Sequence, residues 1–335
     1  MGIIEVDALA KTFSTKRGTV EAVRGVDLTV DVGEIVGFLG PNGAGKTTTL
    51  RMLTTLLRPT AGRGTVVGAD LVTDPAGVRR KIGYVAQSGG TEPLATVAEE
   101  LLLQGELYRV DPLQLRSRVD TLAKQLDLAG LEDRLTRTLS GGQRRRLDIA
   151  LGLVHQPELV FLDEPTTGLD PQSRSNMWEH IRKLRDELST TVFLTTHYLE
   201  EADALCDRIL VIDQGRIVAE GTPEELKSRI SGDIVTFGVA GHPDAARDLL
   251  AARPEVREAT VDGSAVRVVV DHAELAALSL VRALDEAGVA LVSLQTHRPS
   301  LDDVFLTLTG RSLRDDSATA SASAFAIATA SVTGS

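Results

Sequence analysis

The sequence predicts an α/β core over residues 1–230, interrupted by a helical insertion and followed by a small α+β domain. Three observations carry this. Short apolar runs alternate with helical stretches through the first 230 residues, the rhythm of strands laid against helices. Between Gln87 and Gln156 the pattern turns mainly helical, which places the insertion at 88–156. After Ile230 the elements read in the order βαββαβ, that of a ferredoxin-like domain. At 335 residues, with 42 % hydrophobic and 25 % charged side chains, the chain is long and apolar enough to bury such cores.

The buried-strand candidates of the core are Glu34–Leu39 (EIVGFL), Glu158–Asp163 (ELVFLD), Thr191–Thr196 (TVFLTT) and Arg208–Asp213 (RILVID). The insertion is carried by ATVAEELLLQGELYR and LQLRSRVDTLAKQLDLAGL. In the small domain, 231–312, strands are expected at Asp233–Val239, Val256–Val261, Ala265–Val270 and Val289–Gln295. Helices are expected at Pro243–Ala252 and Ala273–Ala287, and Asp262-Gly263 signals a hairpin between the middle strands. The remaining stretch, 313–335, ends in SATASASAFAIATASVTGS, whose alanine-dominated apolar area is too small to offset chain entropy, so disorder is expected there. The chain carries no internal repeat.

Acids outnumber bases 47 to 36, a net charge of −11, spread as −5, −5 and −1 over the three segments. No segment is basic, so nucleic acid is not an expected partner. The single cysteine, Cys206, excludes an internal disulfide and a zinc cluster and reads as a small buried hydrophobe. No run of 18 apolar residues is present, so no membrane span is expected. The start, MGIIEVDALAK, lacks a basic region followed by an apolar one, so no secretory signal is expected and a soluble cytosolic chain is.

Gly40-Pro41-Asn42-Gly43-Ala44-Gly45-Lys46-Thr47 fits G-x-x-x-x-G-K-[ST] directly after the apolar run EIVGFL. Its glycines let successive N–H groups converge on phosphate oxygens, and the following helix, which includes Thr48, turns its N-terminus to the same anion. Lys46 supplies a point charge for the terminal phosphates, and the Thr47 hydroxyl suits Mg²⁺. An accidental Gly-rich turn would not sit between a strand and a helix. The run Leu159–Asp163 ends in Asp163-Glu164, held at a buried edge by four apolar residues and Pro165. Asp163 beside a phosphate loop is placed to hold Mg²⁺ through water, and Glu164 to polarise an attacking water. His197 follows TVFLTT directly. A lone histidine there is more often structural, but beside these motifs it reads as a γ-phosphate sensor. His155, His180, His242, His272 and His297 lack such a context.

Leu139-Ser140-Gly141-Gly142-Gln143 opens a helix whose N-terminus suits an anion, with Ser140 as cap. Because LSGGQ stands shortly before ELVFLD, the sequence resembles an ATP-binding cassette (ABC) ATPase over residues 1–230, a P-loop NTPase fold. The resemblance implies ATP and Mg²⁺ as ligands, with Phe13 stacking on adenine and Thr47, Gln87 and Asp163 around the metal. It implies that Gln87, in Tyr84-Val-Ala-Gln, relays nucleotide state to a membrane subunit. Asp170, in Gly168-Leu-Asp-Pro, would lie in the loop that communicates between the two cassettes. Ser140, Gly141, Gly142 and Gln143 would face the γ-phosphate on the opposite cassette, so function requires a dimer of two copies or of this chain with a relative.

GYVAQSGGT, LVHQPELVFLDEPTTGLDPQSR and Pro299-Ser-Leu-Asp-Asp-Val-Phe-Leu306 narrow the resemblance to ATP-binding subunits of daunorubicin/doxorubicin-type antibiotic exporters. SLDDVFL also reads as an amphipathic helix, with Leu301, Val304, Phe305 and Leu308 on one face, packing the small domain on the cassette. The resemblance implies an ATPase on the cytoplasmic side of the membrane, driving drug efflux through a separate permease of about six spans. Its catalytic set would be Lys46, Gln87, Glu164 and His197. The alternatives are export of a lipid, polysaccharide or other non-drug substrate, or a soluble ABC ATPase outside transport. Soluble ABC ATPases usually carry two cassettes, a long coiled coil or zinc modules, none of which stands in this sequence.

Overall fold

Strands whose every side chain is buried mark the centre of the first unit, Met1–Thr222, in a computed structural model that describes residues 2–15, 18–229, 232–297 and 300–309. Pro299 and the tail expected to be disordered lie outside the described residues. The unit opens with β1 (Ile4–Thr15), β2 (Gly18–Val30), β3 (Ile35–Leu39), α1 (Lys46–Leu53), β4 (Ala61–Val66) and β5 (Ala69–Asp70). Then come α2 (Pro75–Lys81), β6 (Ile82–Val85) and three helices, α3 (Val97–Leu107), α4 (Pro112–Gln125) and α5 (Gly141–Leu153). It closes with β7 (Leu159–Asp163), α6 (Pro171–Leu188), β8 (Thr191–Thr196), α7 (Leu199–Leu205), β9 (Arg208–Asp213) and β10 (Arg216–Gly221).

Two sheets result. One is antiparallel where its strands pair, in the order β2-β1-β4-β5, and the other runs β10-β9-β3-β8-β7-β6 with only β10 antiparallel. Phe38, Phe161 and Phe193 come from neighbouring parallel strands, with the Phe193 ring centroid 5.7 Å from that of Phe38 and 5.6 Å from that of Phe161, and share a core with Ile4, Leu9, Val26 and Val30. Tilted aromatic pairs of this kind add about 0.5–1.5 kcal/mol beyond the area they bury.

The helices begin where their residues dictate. Asp74, Asp111 and Asp170 each precede a proline, and each carboxylate accepts a bond from a first-turn N–H of the helix that follows. Thr96 with Glu99, and Ser140 with Gln143, form reciprocal capping boxes that start α3 and α5.

The second unit starts at Pro223, ahead of the expected 230/231 boundary, because α8 (Pro223–Ser228) packs against the last helix of the chain. It continues with β11 (Asp233–Val239), α9 (Pro243–Ala251), β12 (Val256–Asp262), β13 (Ala265–Val270), α10 (Ala273–Glu286), β14 (Leu291–His297) and α11 (Leu301–Thr309). The strands form one antiparallel sheet, β12-β13-β11-β14. Val266, Val268 and Val270 of β13 face a core with Ala246 and Leu250 of α9 and Leu280 and Leu284 of α10. The hairpin turns through Gly263-Ser264, since Asp262 already pairs with Ala265. β14 starts two residues later than the apolar run suggests because Val289 N–H donates to Leu284 O, closing α10 instead of joining the sheet.

No helix among the described residues is long and apolar enough to cross a membrane.

Two consequences of this packing are measurable. Cys206 is buried, and burial, with Glu201 and Asp207 adding to it, pushes its thiol well above the ordinary value. A thiol reagent should leave the native protein unmodified over minutes and titrate one thiol per chain in denaturant; rapid native reaction would contradict the packing. On α5, Asp148 is 9 % exposed, and burial pushes its carboxyl up to about 6 against the pull of Arg145 and Arg144. The unfolded carboxyl loses its proton near pH 4, so folding stability declines as pH rises from about 4 to 6, and the full cost stands above 6. Because the carboxylate keeps some contact with solvent, D148N should stabilise the protein at pH 8 by about 1–2 kcal/mol, with no gain at pH 4. Urea titrations at the two pH values measure this.

Candidate functional site

The parallel order β3-β8-β7-β6 sets four strand ends side by side, and each delivers one part of the site. Ligands of open α/β sheets gather at such carboxyl ends. After β3, the chain turns through Gly40–Gly45 into α1. Gly45 sits at φ +109, and a side chain there would meet the Ala22 carbonyl at 2.6 Å, so only glycine fits. Lys46, 5 % exposed, folds back over this loop and donates to Gly40 O at 2.7 Å and Pro41 O at 3.0 Å.

After β7, Asp163 is buried and its Oδ1 accepts from Thr195 Oγ1 at 2.6 Å and from Thr47 Oγ1 at 3.4 Å. Glu164 follows in a left-handed conformation, φ +46, with its N–H donating to Thr195 Oγ1 at 3.0 Å. That turn aims its carboxylate at the other strand ends. Oε2 accepts from Gln87 Nε2 at 2.9 Å and Thr167 Oγ1 at 3.1 Å, and Oε1 lies 3.8 Å from Lys46 Nζ. His197, after β8, brings Nδ1 to 3.3 Å from Oε1, close enough for attraction but outside good hydrogen-bond geometry.

The electrostatics follow from this crowding. Burial pushes the Glu164 carboxyl up, but His197, Lys46 and Thr167 together hold it below the ordinary glutamate value, so it is ionised at neutral pH. Burial lowers Lys46, which Glu164 and Asp163 pull partly back. An anionic carboxylate beside a cation and two amide or imidazole groups can accept a proton and hold the group that loses it.

Thus Lys46, Thr47, Gln87, Asp163, Glu164 and His197, assigned from sequence, converge beside the loop Gly40–Gly45 and the Thr48 turn that follows it. Phe13, Ser140 and Asp170 do not join this cluster. Phe13 is 37 % exposed on the β1–β2 sheet with the Lys11 ammonium 5.3 Å from its ring centroid. Ser140 caps α5, its Oγ already accepting from Gln143 N at 3.2 Å, and Gly141 beside it is exposed. Asp170 caps α6, accepting from Ser173 N at 2.9 Å and Ser173 Oγ at 2.6 Å.

Sequence reasoning missed four supports. Thr195 anchors both Asp163 and Glu164, though a threonine in an apolar strand carries no signal of that. Arg145 donates to three carbonyls around Asp163 and Gln87, hidden in the run Arg144-Arg145-Arg146 that reads as a solvated face. Arg174 lies 4.1 Å over the Tyr198 ring, which packs on His197. Glu201, fully buried, accepts from Thr166 Oγ1 at 2.8 Å and Trp178 Nε1 at 3.1 Å.

No three His, Cys, Asp or Glu among the described residues form an all-protein metal cage. Mg²⁺ needs none: it takes hard oxygens, one or two from the protein and the rest from phosphate and water. The Thr47 hydroxyl and the Asp163 carboxylate, converging at the phosphate loop, fit that donor set.

Residues 23–167 match the ABC transporter family, and residues 221–309 match the C-terminal domain of DrrA1-3-like ATP-binding proteins. The chain is 45 % identical to the daunorubicin resistance ATP-binding protein DrrA3 of Streptomyces coeruleorubidus, over 92 % of this chain and 96 % of the relative. To the daunorubicin/doxorubicin resistance ATP-binding protein DrrA of Streptomyces peucetius it is 42 % identical, over 94 % of each. Among solved structures, the ATP-binding cassette MJ0796, dimeric in a post-hydrolysis state with ADP and Pi, superposes with a TM-score of 0.59 at 28 % identity. That match covers 65 % of this chain and 98 % of the cassette. By this match over nearly its whole length, the chain belongs to the DrrA-like ATP-binding subunits of ABC transporters.

Proposed function

We propose that the protein binds and hydrolyses ATP to power efflux of a drug or antibiotic through a separate membrane permease. One observation carries the hydrolytic reading: the Glu164 carboxylate stands ionised between Lys46, Gln87 and His197, next to a phosphate-binding loop. The drug-export reading rests on the two resistance proteins to which the chain is 42–45 % identical.

In this reading N–H groups within the loop Gly40–Thr48 cradle the phosphates, apart from Pro41, which has none, and Gly40, whose N–H donates to Thr196 O. Lys46 leaves its carbonyl partners for the β- and γ-oxygens. Thr47 and, through water, Asp163 hold Mg²⁺, with Gln87 beside them. When bound, the ion neutralises phosphate charge. Glu164 takes the proton of the attacking water, and His197 holds the γ-phosphate in register with it. Phe13 offers an exposed face for the adenine.

The exposure of Ser140 and Gly141 at the head of α5 supports action across a dimer, because the first-turn N–H groups of a helix have no partner within it. Ser140, Gly141, Gly142 and Gln143 then complete the site of a second cassette, and Asp170 lies in the loop between the two. A homodimer is the simplest such assembly. The protein works on the cytoplasmic face of the membrane through its permease.

E164Q keeps the shape of the side chain and one of its two acceptor positions but removes the base. It should bind ATP, accumulate as a nucleotide-bound dimer in size-exclusion chromatography, and hydrolyse at least about 100-fold more slowly. Retained turnover would overturn the assignment of Glu164. A membrane protein copurifying with the tagged chain would identify the permease.

A further inference from the structure

Arg145 is 7 % exposed, five residues beyond the capping serine of α5, and all three nitrogens of its guanidinium are engaged. Nε donates to Pro165 O at 2.8 Å, Nη2 to Asp163 O at 2.9 Å and Nη1 to Ala86 O at 2.6 Å. These carbonyls belong to the residues on either side of Glu164 and to the one just before Gln87. A single planar fork therefore brackets the backbone of the two side chains that meet at 2.9 Å. Nη1 also lies 3.9 Å from Asp148 Oδ2, one turn along the same helix, which orients the fork.

Glu164 needs such a support. Its φ of +46 is a conformation that side-chain-bearing residues avoid, and it persists only where neighbours hold it. Thr195 ties its N–H from one side. Arg145 ties the carbonyls flanking it from the other, and the same group fixes the start of the Gln87 loop.

We infer that Arg145 is a positioning residue for hydrolysis, coupling the helix that begins with Ser140–Gln143 to the backbone that aims Glu164 and Gln87. The inference rests on the reading that Glu164 and Gln87 act on ATP. It adds a direction of control: a displacement of α5, whose head faces a second cassette in that reading, is transmitted through one guanidinium to the water-activating carboxylate. Lysine cannot substitute, because one ammonium cannot span three diverging carbonyls as the rigid five-donor fork does.

R145K and R145Q in the full chain test this, assayed beside E164Q for ATP affinity, thermal midpoint and steady-state hydrolysis. Both Arg145 variants should keep the wild-type fold, with KM for ATP within about threefold, and lose about 10–100-fold in kcat, the loss expected from misplacing a catalytic group by about an ångström. Wild-type kcat in R145K and R145Q together with a dead E164Q would overturn the role of Arg145 and leave the site reading intact. An active E164Q would instead remove the site reading on which the inference rests. Loss of folding, or a fall in ATP affinity as large as the fall in kcat, would make Arg145 a structural anchor and overturn positioning.

Discussion

A buried carboxylate is the constraint around which the first unit is arranged. Taking the Glu164 charge out of water costs several kcal/mol, and the attraction of Lys46 at 3.8 Å does not by itself offset that cost. Gln87 and Thr167 donate to one oxygen, while Lys46 and His197 stand at the other. Lys46 is equally dependent, since burial disfavours its charge and it leans on Glu164, Asp163 and two loop carbonyls. Each group is tolerable only because the others are present. The cluster is therefore sustained by the apolar core beneath it rather than contributing to that core, and the fully buried strands β3, β7 and β8 are the foundation.

The sheet order turns that mutual dependence into geometry. Four parallel neighbours end on one edge, so residues from 46 to 197 in sequence meet without a long loop between them. Parallel strands make this possible because all their carboxyl ends face the same way. The cost is carried by backbone: Glu164 occupies a left-handed conformation to reach its partners, and the flanking carbonyls and N–H are held by Arg145 and Thr195.

Legibility in the sequence followed the physics of each element. EIVGFL, ELVFLD, TVFLTT and RILVID are short, mainly apolar runs of the length and composition of a strand covered on both faces, and the structure places strands there within one residue at either end. Asp163, Glu164 and His197 were visible because each stands at or directly after the end of such a run, and Lys46 because it closes the Gly-rich loop that follows one. The supports were not. Arg145 belongs to an arginine triplet whose members have different partners: Arg144 reaches Thr136 O and Arg146 reaches Asp127 O, while Arg145 alone turns inward. Helical phase relative to a sheet that is distant in sequence decides this, and no local pattern encodes it. The long hairpin β1–β2 was also unmarked, its register shifts breaking any simple alternation.

The segment SLDDVFL shows how one stretch can carry both family character and folding instructions. Its helix, α11, lies in the second unit and packs with α8, burying Leu301, Val304 and Phe305, while Leu308 is 40 % exposed and so is not part of the buried face expected of it. The two aspartates are not solvated. Asp303 Oδ2 accepts from Ser300 N at 2.8 Å and Ser300 Oγ at 2.6 Å, so the serine and the aspartate start the helix together. Its other oxygen pairs with Arg267 on β13, which also reaches Asp262 at 3.3 Å. Strand alternation explains why that arginine is there: Val266 and Val268 face α9 and α10, so Arg267 must emerge on the opposite face, where α11 supplies its carboxylate. A serine, an aspartate and three apolar side chains at these spacings are therefore required by the second unit's own sheet.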